Sequence, residues 1–204
     1  MSILELLRIS ILRSLYFSLR FRGQIVLFRG TRIRLESGAR IRVAPGGRLV
    51  LGRHLSGSEC SVLICRNGCL DIGGKVSVSR GTRIWVGGDA TVEIGDGTFI
   101  HVDSSIMCWE RVTIGAHCAI SWNVNILDGN QHDLIIRGTS WPKTTPVEVG
   151  DNVWIGTGVT LVGASIGDGA VVGACSLVTA IVPDKALATG NPAQVVAKDI
   201  AWVF

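Results

Sequence analysis

The sequence predicts an all-β solenoid, and three observations carry that expectation. Aliphatic residues recur six apart: Ile72, Val78 and Ile84; Ile94, Ile100 and Ile106; Ile114, Ile120 and Ile126; and, after a break, Val149, Ile155 and Leu161. A small residue follows many of them, as at Gly73, Gly95, Gly115, Gly150, Gly156, Gly167 and Gly173. Neither the 3.6 period of an amphipathic helix nor plain alternation sustains such a spacing over so long a stretch. A short extended segment with one inward aliphatic residue, turned at a corner residue able to take φ > 0, makes one flat wall. Three walls close a coil. Coils then stack as parallel strands about 4.8 Å apart, and the inward side chains form columns that fill the prism.

A single domain, 1–204, follows from this pattern. Residues 1–23 differ in kind: Ile3, Leu4, Leu7, Ile11, Leu15 and Leu19 recur at helical spacing with Arg8, Arg13 and Arg20 among them, which predicts a short amphipathic helix. Two readings of it stand: a cap over the open coil end, which solenoids require, and a basic helix lying on the inner membrane face. Coils are expected over 30–183. The pairs Ile33/Leu35, Ile41/Val43 and Leu49/Leu51 mark irregular early coils, and the groups starting at 72, 94 and 114 mark whole ones. Between Leu161 and Ile166 the spacing is one residue short, which predicts a local rearrangement before Val172 and Val178 resume it. The hexads stop at 131–146, read as an excursion loop, and 184–204 is read as a tail.

Composition excludes several classes. With 47% apolar and 18% charged residues the chain is neither disordered nor collagen-like, and no apolar run is long enough for a spanning helix. No signal peptide is read, because Arg8, Arg13 and Arg20 interrupt the first apolar stretch. Cys60, Cys65, Cys69, Cys108, Cys118 and Cys175 show neither a CxxC pair nor a disulfide-scaffold spacing, so they are expected to be reduced, in a cytoplasmic protein. Charge is uneven. Residues 1–53 net +9 from eleven Arg against two acids, and the remainder nets −5 from nine basic against fourteen acidic residues. Such a basic end suits an anionic surface or a solvated rim equally; without interleaved aromatics it does not suit nucleic acid.

The segments Ile120-Ser-Trp-Asn-Val-Asn-Ile-Leu-Asp128, His132-Asp133, Val149-Gly-Asp-Asn-Val-Trp-Ile-Gly156 and Gly190-Asn-Pro-Ala193 resemble the hexapeptide-repeat acyltransferases. Within that group they are similar to sugar O-acetyltransferases of the maltose/galactoside acetyltransferase type, and more closely to those of surface-polysaccharide pathways. The resemblance spans residues 30–196. It implies a left-handed parallel β-helix, against the usual right-handed crossover rule, a homotrimer, acetyl-CoA as co-substrate and a saccharide acceptor.

Moving an acetyl group from a thioester to a hydroxyl needs a base, donors for the developing oxyanion and a groove that aligns both substrates. His132 is the candidate base: it falls where the hexads stop, an imidazole accepts a proton near neutrality, and the resemblance places the family's catalytic histidine after the Asp128 motif. Asp128 and Asp133 either orient that ring or are corner and loop residues. Late-coil backbone is expected to pair with the pantetheine arm like an added strand. For that donor the resemblance points to Trp154, Gly156, Thr157, Ala174 and Thr179, with the Thr157 amide as oxyanion donor. Lys198 and Lys185 are the cations left for the CoA phosphates. On the acceptor side it places His101 and Asp103 near the sugar, while the excursion carries Trp141 and Lys143. Trp141 either stacks on a pyranose or serves as a lid or subunit contact.

No metal site is expected, since no two histidines stand five apart as in the zinc enzymes that share this architecture; His54 and His117 take surface roles. Two other functions compete with O-acetylation: N-acetylation of an amino sugar on the same fold, and a non-catalytic scaffold binding glycan or membrane through its basic end.

Overall fold

Among the described residues, three sheets of nine, seven and seven strands, parallel except for the last strand of the nine, receive successive strands in turn and wind the chain into a three-sided column, apart from a hairpin after Leu127. This computed structural model describes residues 9–53, 59–129, 132 and 134–203. Calls on residues 1–8, His54 and Asp133 lie outside the described residues. Wall B begins with Gln24–Leu27 and Arg48–Arg53, wall C with Arg32–Leu35 and Ser61–Ile64, and wall D with Arg40–Val43 and Cys69–Ile72.

The hexads land where the spacing requires. Ile72 sits on wall D, Val78 on wall B and Ile84 on wall C of one coil. Ile72 pairs with Ile94, Ile94 with Ile114, Ile114 with Val149 and Val149 with Ile166, so one column runs through five coils. Parallel columns run Val78, Ile100, Ile120, Ile155, Val172 and Ile84, Ile106, Ile126, Leu161, Val178. All of these side chains are buried, at roughly 1.5–3 kcal/mol each. Strands of these coils insert two residues per wall, as Val76/Val78, Ile84/Val86 and Val92/Ile94.

Where walls D and B meet, coils approach so closely that glycine is obligatory. A Cβ on Gly115 would lie 2.5 Å from the Gly150 carbonyl oxygen, and one on Gly95 would lie 2.5 Å from the Ala116 nitrogen. Backbone of the next coil cannot retreat without breaking its ladder. Gly115→Ala is therefore expected to cost at least about 1–3 kcal/mol, read as a lowered denaturation midpoint at unchanged m. The short step from Leu161 to Ile166 is taken at Gly163, whose φ is +52°; its N–H donates to Leu127 O at 3.0 Å, and the register is restored at Glu148–Ser165.

The boundaries extend past those read from the sequence. Wall B starts at Gln24, and Leu187–Gly190 adds a further parallel rung that Ala193–Ala197 covers in antiparallel fashion, so much of 184–204 is sheet. The helix spans Ile11–Phe21. Its expected stripe does not face the core: Ile11, Leu15 and Leu19 are 71%, 55% and 70% exposed, and Phe17 is buried instead. Gln24–Leu27 is the first rung, and its outward backbone needs partners. Ser14 Oγ accepts the Leu27 N–H at 2.9 Å, and Ser18 Oγ accepts the Ile25 N–H at 2.9 Å. Serines thus claim the protein side of the helix and turn the leucines outward.

Candidate functional site

Among the described residues the succession of walls C and D is interrupted directly after Asn125–Leu127. There Leu134–Ile136 and Thr139–Trp141 form an exposed antiparallel hairpin, turned at Arg137 and Gly138, both at positive φ (51° and 81°), as tight two-residue turns require. A bridge between Gly129 and Thr144 closes its base. His132 lies exposed at its mouth. A cleft of about 240 Å³ at the base is lined by Asp128, Lys143, Thr144, Val162, Gly163 and Thr179 among others, and a groove sharing Thr145, Gly163 and Thr179 continues from it along the same corner.

Asp128 occupies an inward slot in line with Val86 and Cys108 and is fully buried. Its carboxylate accepts the backbone N–H groups of Trp109 (2.9 and 3.0 Å), Glu110 (2.7 Å) and Arg111 (2.8 Å), a concave nest of amides suited to an anion. Its carbonyl accepts the Thr145 N–H at 2.6 Å. Of the two roles left open for it, the corner role is the one its hydrogen bonds express. It ties the turn of the coil below to the exit of the excursion.

The remaining candidates fall into two groups on different corners. Trp154 and Gly156 lie on wall B, and Thr157 and Ala174 at the corner between B and C; His101 lies on the same wall and Asp103 at the same corner. His101 stacks on Trp122 with ring centroids 4.6 Å apart, and meets Phe99 edge-on at 5.1 Å. Trp122 and Phe99 extend the surface and had no spacing signal of their own. Trp154 Nε1 donates to Ser121 Oγ at 3.2 Å. Asp103 faces a separate cleft with Arg32, Ser61, Arg83 and Asn123. Asp128, His132, Trp141, Lys143 and Thr179 stand at the corner between C and D, so within one chain wall C divides the expected site in two. Lys185 and Lys198 are exposed at the far end of the column, where the Ile200 N–H reaches the Lys185 carbonyl at 3.0 Å.

The expected pairing of a pantetheine arm with late-coil strands meets a physical obstacle. Those amides are committed to the ladder, as in Gly156 N–H to Val172 O and Gly173 N–H to Ala188 O, each 2.8 Å. An extended ligand must lie along a corner. The buried cysteines are poor candidates for a nucleophile. Burial pushes the thiol of Cys60 up to about 12 and that of Cys118 up to about 11, and burial with the Asp128 carboxylate alongside pushes Cys108 up as well, leaving them protonated and poorly nucleophilic. All six cysteines are free. Among the described residues no three His, Cys, Asp or Glu side chains are placed to hold a metal ion, and no helix is long and apolar enough to cross a membrane.

No family model matches the chain. Galactoside O-acetyltransferase of Lactococcus lactis is 35% identical over 113 residues, 53% of each chain, and that of Escherichia coli is 33% identical over 111 residues, 52% of this chain and 54% of the other. An E. coli protein provisionally named as a colanic acid biosynthesis acetyltransferase is 35% identical over 104 residues, covering 50% of this chain and 56% of that one. The chain therefore aligns with about half the length of the curated relatives it matches. Among solved structures, a polysialic acid O-acetyltransferase superposes with a TM-score of 0.65 at 18% identity, covering 85% of this chain and 91% of that one. A hexapeptide-repeat containing acetyltransferase from Vibrio cholerae gives a TM-score of 0.53 at 26% identity, covering 60% and 70%. The fold is the left-handed parallel β-helix of these acetyltransferases, and the relatives match the family that the sequence motifs resemble.

Proposed function

We propose, from this relationship to the hexapeptide-repeat acetyltransferases, that the chain is an acetyl-CoA-dependent O-acetyltransferase of a sugar hydroxyl in surface-polysaccharide biosynthesis. The observation that carries the reading is the break in the ladder between walls C and D, where His132 is exposed and where a cleft lined by Lys143 and Thr179 forms at the base of the hairpin. His132 takes the hydroxyl proton as the oxygen attacks the thioester carbonyl; the C–S bond breaks, the sugar ester forms and the thiol of CoA leaves carrying that proton. Because the buried thiols are held protonated, direct transfer is favoured over an acyl-cysteine. Asp133, next to His132 in sequence, keeps in this reading the role of a candidate to orient the imidazole.

The divided candidates favour a site completed between copies. Wall C presents an outward apolar column in which Leu63 pairs with Trp85, Trp85 with Met107 and Met107 with Leu127. Packing three such walls around one axis sets the C–D corner of one copy beside the B–C corner of the next. That arrangement, a homotrimer, would unite His132, Trp141 and Lys143 with His101, Asp103, Trp154, Gly156, Thr157 and Ala174, with Lys198 towards the CoA phosphates.

Release of CoA thiol from acetyl-CoA, measured against matched hydroxyl and amino sugars, tests the reading. Turnover dependent on a hydroxyl sugar is expected. Turnover on the amine alone would replace O-transfer by N-transfer, and no acceptor-dependent release with free, nucleotide-linked, lipid-linked or polymeric sugars would overturn the enzymatic reading.

A further inference from the structure

We propose that the helix Ile11–Phe21 and the arginine-rich first coil form a docking face for an anionic phospholipid surface. The helix is inverted relative to an ordinary cap. At about 100° per residue, Phe17, Phe21, Ser14 and Ser18 share one arc, which the structure turns against Gln24–Leu27 through the serine hydrogen bonds and the burial of Phe17. Ile11, Leu12, Leu15, Tyr16 and Leu19 share the opposite arc and are all exposed, Leu12 to 82%. Arg13 and Arg20 lie between the two arcs and are exposed, at the level where lipid phosphates would meet a helix lying in the interface.

Charge selects the occupant. Arg32 and Arg34 are exposed on wall C, Arg40 and Arg42 on wall D and Arg48 on wall B, so positive side chains surround the column on all three faces at the end that carries the helix. A partner protein docking on one wall would meet one sector of that ring, whereas a planar anionic layer under the column end meets all of it together with the apolar ridge. Two of these arginines also hold acids, Arg32 with Glu59 and Arg42 with Asp71 at 3.4 Å. The others outnumber nearby acids, since Glu36, spent on the Arg66 N–H, is the only other acidic residue of the described first coil.

Flotation of the purified full chain with vesicles tests the proposal without reference to any enzymatic activity. Binding is expected to phosphatidylcholine vesicles containing about 30% phosphatidylglycerol, to be much weaker on pure phosphatidylcholine, and to fall with salt. The triple variant Leu12→Ser, Leu15→Ser, Leu19→Ser should lose at least about tenfold in partitioning per leucine, and Arg13→Glu with Arg20→Glu at least about fivefold per site. All five side chains are exposed, so the unfolding midpoint should stay in place. Equal binding to both vesicle types, or undiminished binding by the triple serine variant, would overturn the proposal. So would absence of vesicle binding combined with loss of oligomer in the serine variant by sedimentation velocity, which would assign the ridge to a second copy of the chain.

Discussion

Replacing His132 by alanine is expected to lower kcat with a hydroxyl acceptor by about 10²-fold or more and to leave the unfolding midpoint unchanged. The first half follows from chemistry: a sugar hydroxyl is a poor nucleophile until its proton is taken, and the carboxylate that lines the cleft, Asp128, is buried and engaged by the N–H groups of Trp109, Glu110 and Arg111. The second half follows from position, because the side chain is exposed at the mouth of a hairpin and surface substitutions away from caps and buried networks stay within about ±0.5 kcal/mol. Acceptor chemistry sharpens the test. A free amine is already nucleophilic, so an enzyme whose natural acceptor is an amino sugar should lose much less on the same substitution. Wild-type turnover in His132→Ala with a hydroxyl acceptor would remove the base from the mechanism and leave the scaffold reading in its place.

Much of the column was legible because its cause is arithmetic. One inward residue per wall and three walls per coil turn six-residue spacing into vertical columns, and Ile72, Val78 and Ile84 occupy walls D, B and C as the spacing demands. Handedness was not legible from periodicity, since a left- and a right-handed coil bury the same columns. The helix shows a different limit. A 3.6 period identifies two faces but does not say which one docks, and here the unpaired amides of Gln24–Leu27 decide it by recruiting Ser14 and Ser18. The site was legible as residues rather than as a place. His132 is marked by the break in the hexads, but Thr157 and Thr179, both expected at the donor, stand on opposite sides of wall C. Only the count of corners between them separates the two, and the short step at Gly163 obscures that count.

Asp128→Ala should be the most destabilising substitution at the candidate site, by about 3–5 kcal/mol, the cost of removing one partner from a buried charged contact. The carboxylate accepts three successive backbone N–H groups, and it does so from a slot that Val86 and Cys108 fill in the coils below. Alanine would leave those N–H groups buried and unpaired and would open a void beside Cys108. It would also loosen the neighbourhood of the Thr145 N–H, whose acceptor is the Asp128 carbonyl. For a chain of this length a loss of that size is an appreciable share of a total near 5–15 kcal/mol and should lower the midpoint by roughly 10 °C. Asp128→Asn, isosteric but presenting an NH2 where three donors already converge, should fall between alanine and wild type. Activity separates the two roles: an aspartate acting on His132 alone would cost kcat in Asp128→Asn at full stability, whereas a corner anion predicts that the midpoint falls first and that kcat, measured well below it, falls less than in His132→Ala. A midpoint that Asp128→Ala does not move would contradict the hydrogen-bonded nest itself.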